Sequence, residues 1–138
     1  MKRVDVVYAC IVNDLSQVLM VYNQDAKHWS MPGGKVEKEE FLDKGLIREV
    51  KEETGYIVSV KELISVNERM IVSTEEHAVF FTYLCEISEG RIEITHPEEI
   101  SKVVWMDYDE ADELMPYHNE KLKELIKHKT KYHNQGKY

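Results

Sequence analysis

The sequence predicts an α/β/α sandwich built around a mixed β-sheet. Two helical patterns, over 41–54 and 119–130, flank several strand-like runs. Those runs alternate in polarity and never repeat as βαβ units, so a mixed sheet fits better than a doubly wound parallel one. The chain has 138 residues, no internal repeat and no low-complexity linker. It is expected to form one domain, 1–138, able to bury a sizeable core.

Taken in order, 3–12 (RVDVVYACIV) and 17–22 (QVLMVY) read as strands separated by an Asn13-Asp14 turn. His28, Trp29 and Ser30 lead into a glycine loop, Met31-Pro32-Gly33-Gly34. Trp29 reads either as a core aromatic or as a substrate-binding wall of a cleft beside that loop, and His28 as a surface residue. The helix over 41–54 ends at Gly55, because glycine takes the left-handed conformation at little cost.

Strands are expected over 56–66, 69–72 and 78–87, the last (AVFFTYLCEI) being the strongest β run. Residues 73–77 read as a solvated hairpin loop, from which Glu75 or Glu76 can reach a cleft. A Glu89-Gly90 turn precedes RIEIT (91–95), and a last strand covers 102–106. If 97–99 runs extended, Glu98 and Glu99 face opposite ways. Asp107 with Glu110 suggests a capping box for a short helix ending near Met115-Pro116. Leu122, Leu125 and Ile126 form the narrow apolar face of the terminal helix.

The formal charge of −8 is uneven. Residues 118–138 hold six lysines and two glutamates, which leaves −12 on 1–117. So acidic a body argues against broad nucleic-acid binding. The lysines read as the wet face of the terminal helix or, alternatively, as a patch for a polyphosphate or an RNA 5′ end. No apolar run approaches the ~20 residues that span a membrane. Met1-Lys2-Arg3 precedes an alternating segment instead of a signal-peptide core, so a cytoplasmic location is expected. Cys10 and Cys85 fit buried free thiols, and no Cys/His spacing suggests zinc.

The chemistry concentrates in 33–56, GGKVEKEEFLDKGLIREVKEETGY. Leu42, Leu46, Glu49 and Glu53 share one helical stripe, which begins apolar and turns acidic in its last turn. Glu52 stands beside the two glutamates. Three carboxylates there repel one another and oppose the helix dipole. A compensating hard cation, Mg²⁺ or Mn²⁺, suits such oxygens. The plainer reading is a solvated face with a weak Arg48–Glu52 pair. Gly33 and Gly34 add a loop where backbone can approach a phosphate or metal closely.

This stretch resembles the Nudix box, G-x5-E-x7-R-E-U-x-E-E-x-G-U. Gly34, Glu40, Arg48, Glu49, Val50, Glu52, Glu53 and Gly55 occupy its fixed positions. Tyr56 stands where an aliphatic residue is usual, and Glu39 and Gly45 where many members carry glycine and alanine. The resemblance implies the α/β/α fold and a Mg²⁺-dependent hydrolase of a nucleoside diphosphate linked to another group. It assigns Glu49, Glu52 and Glu53 as metal ligands, with the Gly33 carbonyl as a further one. Glu52 or Glu53 then activates water, and Arg48 with Glu40 forms a structural ion pair. In many such proteins a glutamate stands six residues before a tryptophan, as Glu99 does before Trp105. There it joins the metal shell or acts as a base, which makes Glu99 a catalytic candidate.

Three substrate readings follow from the resemblance: a MutT-like nucleoside triphosphate pyrophosphatase, an RNA 5′-pyrophosphohydrolase, and a dinucleotide or nucleotide-sugar hydrolase. The third lacks its markers, since Ile71 and Val72 stand where ADP-ribose hydrolases carry proline. Ser73 and Thr74 likewise replace the diadenosine-polyphosphate tyrosine. The balance tilts to the first. A noncatalytic nucleotide-sensing module is the competing class, and degenerate members of that kind usually lose a box glutamate.

Overall fold

The structure is a computed structural model, and it describes residues 1–116 and 118–138. Strands β1 (Lys2–Ile11) and β2 (Gln17–Asn23) are joined by a tight turn. Asn13 closes it, its side-chain oxygen accepting the Leu15 and Gln17 amides at 3.0 and 3.1 Å. There follow β3 (His28–Ser30), β4 (Gly33–Lys35), helix α1 (Leu42–Thr54) and β5 (Tyr56–Ile71). A 3₁₀ turn (Val72–Thr74) leads to β6 (Glu76–Gly90), β7 (Ile100–Asp107), α2 (Tyr108–Leu114) and α3 (Leu122–Leu125).

The strands form a four-stranded sheet, β4-β1-β6-β5, and a three-stranded one, β3-β2-β7. β1 runs parallel to β6 while its pairing with β4, and that of β5 with β6, is antiparallel. The sheet is mixed, as the alternating runs predict. Alternation along β1 feeds two cores. Val7, Ala9 and Ile11 pack with Leu19 of β2 and with Leu46 and Val50 of α1. Cys10 packs with Val18 and Met20, with Ala111 of α2, with Met115 just after it, and with Leu122 and Leu125 of α3. Helices therefore cover both faces, and α1 sits on the side fixed by Leu46 and Val50. Both thiols are buried and free. No helix among the described residues is long and apolar enough to cross a membrane.

Several boundaries differ from the sequence expectation. The terminal helix shrinks from 119–130 to the single turn α3, although Leu122 and Leu125 are buried. β5 is the outer strand of its sheet, so near Leu63, between two bulges, its backbone is open on the side away from β6. The chain after α3 turns to satisfy it, with Leu63 and Thr130 exchanging two hydrogen bonds of 2.9 Å. Tyr132 then packs edge-on to Tyr83. A lysine-rich helix with a narrow apolar stripe has less to bury than this docked tail.

The two strands expected over 56–72 are one strand of 16 residues. The hairpin is shorter than 73–77, because Glu76 and His77 already pair with Ile71 and Met70. No turn forms at Glu89-Gly90, which pair with Ile57 and Tyr56. Residues 91–95 lack regular structure, and the Glu93 amide is held by the Thr54 carbonyl at 2.8 Å. Asp107 caps α2 through extended backbone alone, without the side-chain bond of a capping box. Gly55 does end α1 in the left-handed conformation, φ 89°, donating to the Lys51 carbonyl.

Candidate active site

Burying Leu46 and Val50 against the sheet fixes the roll of α1, which turns Glu49 and Glu53 toward the glycine loop. That loop is held by β1, with Val7 opposite Gly34 and Tyr8 opposite Gly33. The two segments meet closely. The Gly33 amide donates to Glu53 Oε1 at 3.0 Å. A Cβ on Gly34 would lie 2.7 Å from the Glu49 carboxyl carbon, so only glycine leaves that carboxylate its space.

Arg48 organises the outer side of this cluster. Its Nε and Nη2 donate to the two oxygens of Glu40 at 2.9 and 3.0 Å, a bidentate pair. Its Nη1 reaches Glu49 at 3.0 Å and Glu52 at 3.4 Å, and Nη2 also reaches the Lys35 carbonyl at 3.3 Å. Glu40 in turn accepts the Glu37 amide at 2.9 Å, which ties the loop to the helix. A Cβ on Gly45 would stand 2.8 Å from Glu40 Oε1, which explains a glycine in mid-helix.

These contacts set the electrostatics. Burial pushes the Glu53 carboxyl up to about 8, opposed by the Gly33 amide and reinforced by the charges of Glu49, Glu52 and Glu99. Burial raises Glu49 as well, against the pull of Arg48. Hydrogen bonds from Arg48 hold Glu40 below the ordinary range. Glu52 is about half exposed, at 51%.

An all-oxygen set of this kind fits a hard divalent cation, and a buried carboxylate held by one amide has an electrostatic need for it. Among the described residues, no three acidic, imidazole or thiol groups are already gathered into a cage. Glu49 leans instead on Arg48 and Glu53 on the Gly33 amide. The contact at Gly33 is through its N–H, whereas the Nudix resemblance implies its carbonyl as a ligand.

Glu99 enters from a different segment. Residues 97–99 form a turn, with the Glu99 amide bonded to the His96 carbonyl at 3.0 Å, so strand alternation does not place Glu98 and Glu99. The charge of Glu99 is felt at Glu53. Glu98 pairs with His96 at 3.5 Å.

Beside the carboxylates lies a cleft. A cavity of about 390 Å³ is lined by Tyr8, His28, Asn67, Arg69, Phe80 and Thr82, among others. A second, of about 260 Å³, shares Tyr8, His28 and Phe80 and reaches Gly33, Gly34, Lys35 and Glu76. The rings of Tyr8 and Phe80 lie nearly parallel, 6.1 Å apart. Burial and the charge of Glu53 raise the Tyr8 hydroxyl, and Arg69 lowers it. Glu76 lines the loop end and holds Lys35 at 2.9 Å. Trp29 lies outside the lining of both cavities, edge-on to Tyr22 with the Lys102 ammonium 5.9 Å from its ring. The neighbouring His28 lines them instead. Tyr8, Asn67, Arg69 and Phe80 had no motif to reveal them, because only the β1–β6–β5 pairing brings them to one face.

The sequence pattern of the NUDIX domain matches residues 2–128. A MutT-like protein of Streptomyces ambofaciens is 34% identical over 105 residues, covering 76% of this chain and 64% of its own length. Nudix hydrolase 5 of Arabidopsis thaliana is 31% identical over 126 residues, 86% of this chain and 41% of that one. The chain thus spans less than two thirds of either relative. The crystal structure of a MutT NUDIX hydrolase from Burkholderia pseudomallei superposes with a TM-score of 0.72 at 26% identity, covering 79% of this chain and 86% of that one. With its box residues drawn together at the mouth of a cleft, this chain belongs to the NUDIX family.

Proposed function

We propose that the chain hydrolyses a phosphoanhydride bond of a nucleoside diphosphate linked to a further group, acting on nucleoside triphosphates as a pyrophosphatase. The observation that carries this reading is the packing of Glu49 and Glu53 against Gly34 and Gly33 at the end of a cleft lined by Tyr8 and Phe80. A Mg²⁺ or Mn²⁺ ion would be held by Glu49, Glu52 and Glu53, with the Gly33 carbonyl and Glu99 as further oxygen donors. When bound, it neutralises charge on the phosphate oxygens and acidifies water.

The residues of the chain do the rest. Arg48 keeps Glu49 and Glu52 on the loop side of α1 while its bidentate grip on Glu40 anchors the loop. Glu52 or Glu53 takes the proton of the attacking water. The Tyr8 and Phe80 rings offer the base a flat apolar surface, and the cleft has the volume of a small-molecule site. The acidic body favours a free nucleotide over a long RNA. The buried, unpaired thiols suit a cytoplasmic setting.

A panel of nucleotides with Mg²⁺ tests the reading, with phosphate and pyrophosphate release followed separately. The expected products from a triphosphate are a nucleoside monophosphate and pyrophosphate. Nucleotide binding without turnover of any substrate would favour the sensing module instead.

A further inference from the structure

Arg69 lines the larger cavity, and among the described residues its guanidinium has no hydrogen-bond or ion-pair partner. The carboxylate next to it in sequence, Glu68, is turned to His77 at 3.0 Å. In the β5–β6 ladder Asn67 stands opposite Phe80 and Arg69 opposite Ala78. Residues two apart share a face, so Asn67 and Arg69 project on the side of Phe80 and Thr82, where the small Ala78 leaves room. The charge of Arg69 is felt at the Tyr8 hydroxyl, as is that of Glu53. Tyr8 lines both cavities, the one that reaches Gly33 and Gly34 and the one that holds Arg69, and so joins the carboxylate end of the cleft to this arginine.

A guanidinium is a rigid fork of donors with no acceptor. Two adjacent acceptors match it, and among the bases O6 and N7 of a 6-oxopurine supply them. Adenine presents an amino donor at the same position, so donor would meet donor, and a 4-oxopyrimidine offers a single acceptor. Building on the nucleotide-hydrolase reading above, we propose that Arg69 is the specificity-determining residue of this cleft and selects 6-oxopurine nucleotides over adenine nucleotides. The base rests on Tyr8 and Phe80, the phosphates point to Gly33 and Glu53, and the Hoogsteen edge faces Arg69.

Inosine and adenosine nucleotides differ at the position in question and provide the test. kcat/KM is measured for ITP and ATP with Mg²⁺, and Kd for IMP and AMP by calorimetry, in wild type, Arg69→Gln and Arg69→Lys. Wild type should prefer inosine by about tenfold or more in both measures, the scale of one good bidentate contact. Arg69→Gln should bring both ratios to within about twofold, and Arg69→Lys should restore little, since it keeps the charge but loses the fork. An inosine-to-adenosine ratio near one in wild type overturns the proposal. So does a variant that keeps the wild-type ratio, or one that weakens both nucleotides alike. Failure to turn over any nucleotide would refute the hydrolase reading, while the Kd ratio would still decide the role of Arg69.

Discussion

The carboxylate of Glu49 occupies the space that a side chain at Gly34 would need. An ideal Cβ on Gly34 lies 2.7–2.9 Å from all three carboxyl atoms. The backbone at Gly34 is not in the left-handed region, so alanine is allowed there except for this contact. Gly34→Ala should therefore fold, losing at most ~1 kcal/mol because a flexible side chain can yield. Its kcat should fall on the order of 10²-fold, since a displaced carboxylate misplaces the reacting groups. Thermal melts alongside steady-state kinetics check both halves.

Glu53 makes stability depend on pH in a direction opposite to that of a salt-bridged carboxylate. Its folded value, about 8, lies above the ordinary carboxyl value of 4.5, so the folded state binds this proton more tightly. The contribution is fully present below 4.5 and is lost as pH rises through 8. In chelator, wild type should lose stability across that window relative to Glu53→Gln. Parallel Tm–pH curves for the two proteins would show that Glu53 is not buried as described.

A divalent cation should offset the same repulsion. Mg²⁺ or Mn²⁺ at about 100 times its Kd should add roughly 2.7 kcal/mol, or roughly 5–10 °C in Tm, by binding the folded state. The shift should shrink in a Glu49→Gln/Glu53→Gln double variant. Equal shifts in both proteins would place the ion elsewhere.

How much of this was legible in the sequence depends on the length over which each signal acts. The stripe Leu42, Leu46, Glu49, Glu53 specified both α1 and its acidic end, because helical period and the Gly55 stop are local. The β runs were legible as strands, and their alternation pointed correctly to a mixed sheet. Strand partners are not legible: the parallel β1–β6 ladder joins Tyr8 to Thr82 across about half of the chain. Tyr8, Phe80 and Arg69 carry no local signal of a shared cleft for that reason. The terminal helix failed because its competitor, the open edge at Leu63, is a tertiary feature. The glycine at 45, where many members carry alanine, is explained only by a tertiary contact, since Glu40 fills the space of its Cβ.

Glu99 and Glu98 are neighbours with different expected roles. The charge of Glu99 acts on Glu53, whereas Glu98 is an exposed partner of His96. Glu99→Gln should lower kcat on the order of 10²-fold or more, the scale of general-base or ligand loss. Glu98→Gln should leave kcat alone and stay within ~0.5 kcal/mol in stability. A sensitive Glu98 beside a silent Glu99 would reverse the assignment, and kcat for the two single variants distinguishes them.

The most direct test of the account is the turnover of Glu53→Gln with saturating Mg²⁺ on the best nucleotide substrate. The substitution keeps shape and the bond from the Gly33 amide but removes the anion. With the fold confirmed by its melt, kcat is expected to drop by about 10³-fold or more, at least ~4 kcal/mol of transition-state stabilisation. Turnover within about threefold of wild type, a change below 1 kcal/mol, would contradict the placement of the hydrolytic centre at the end of α1.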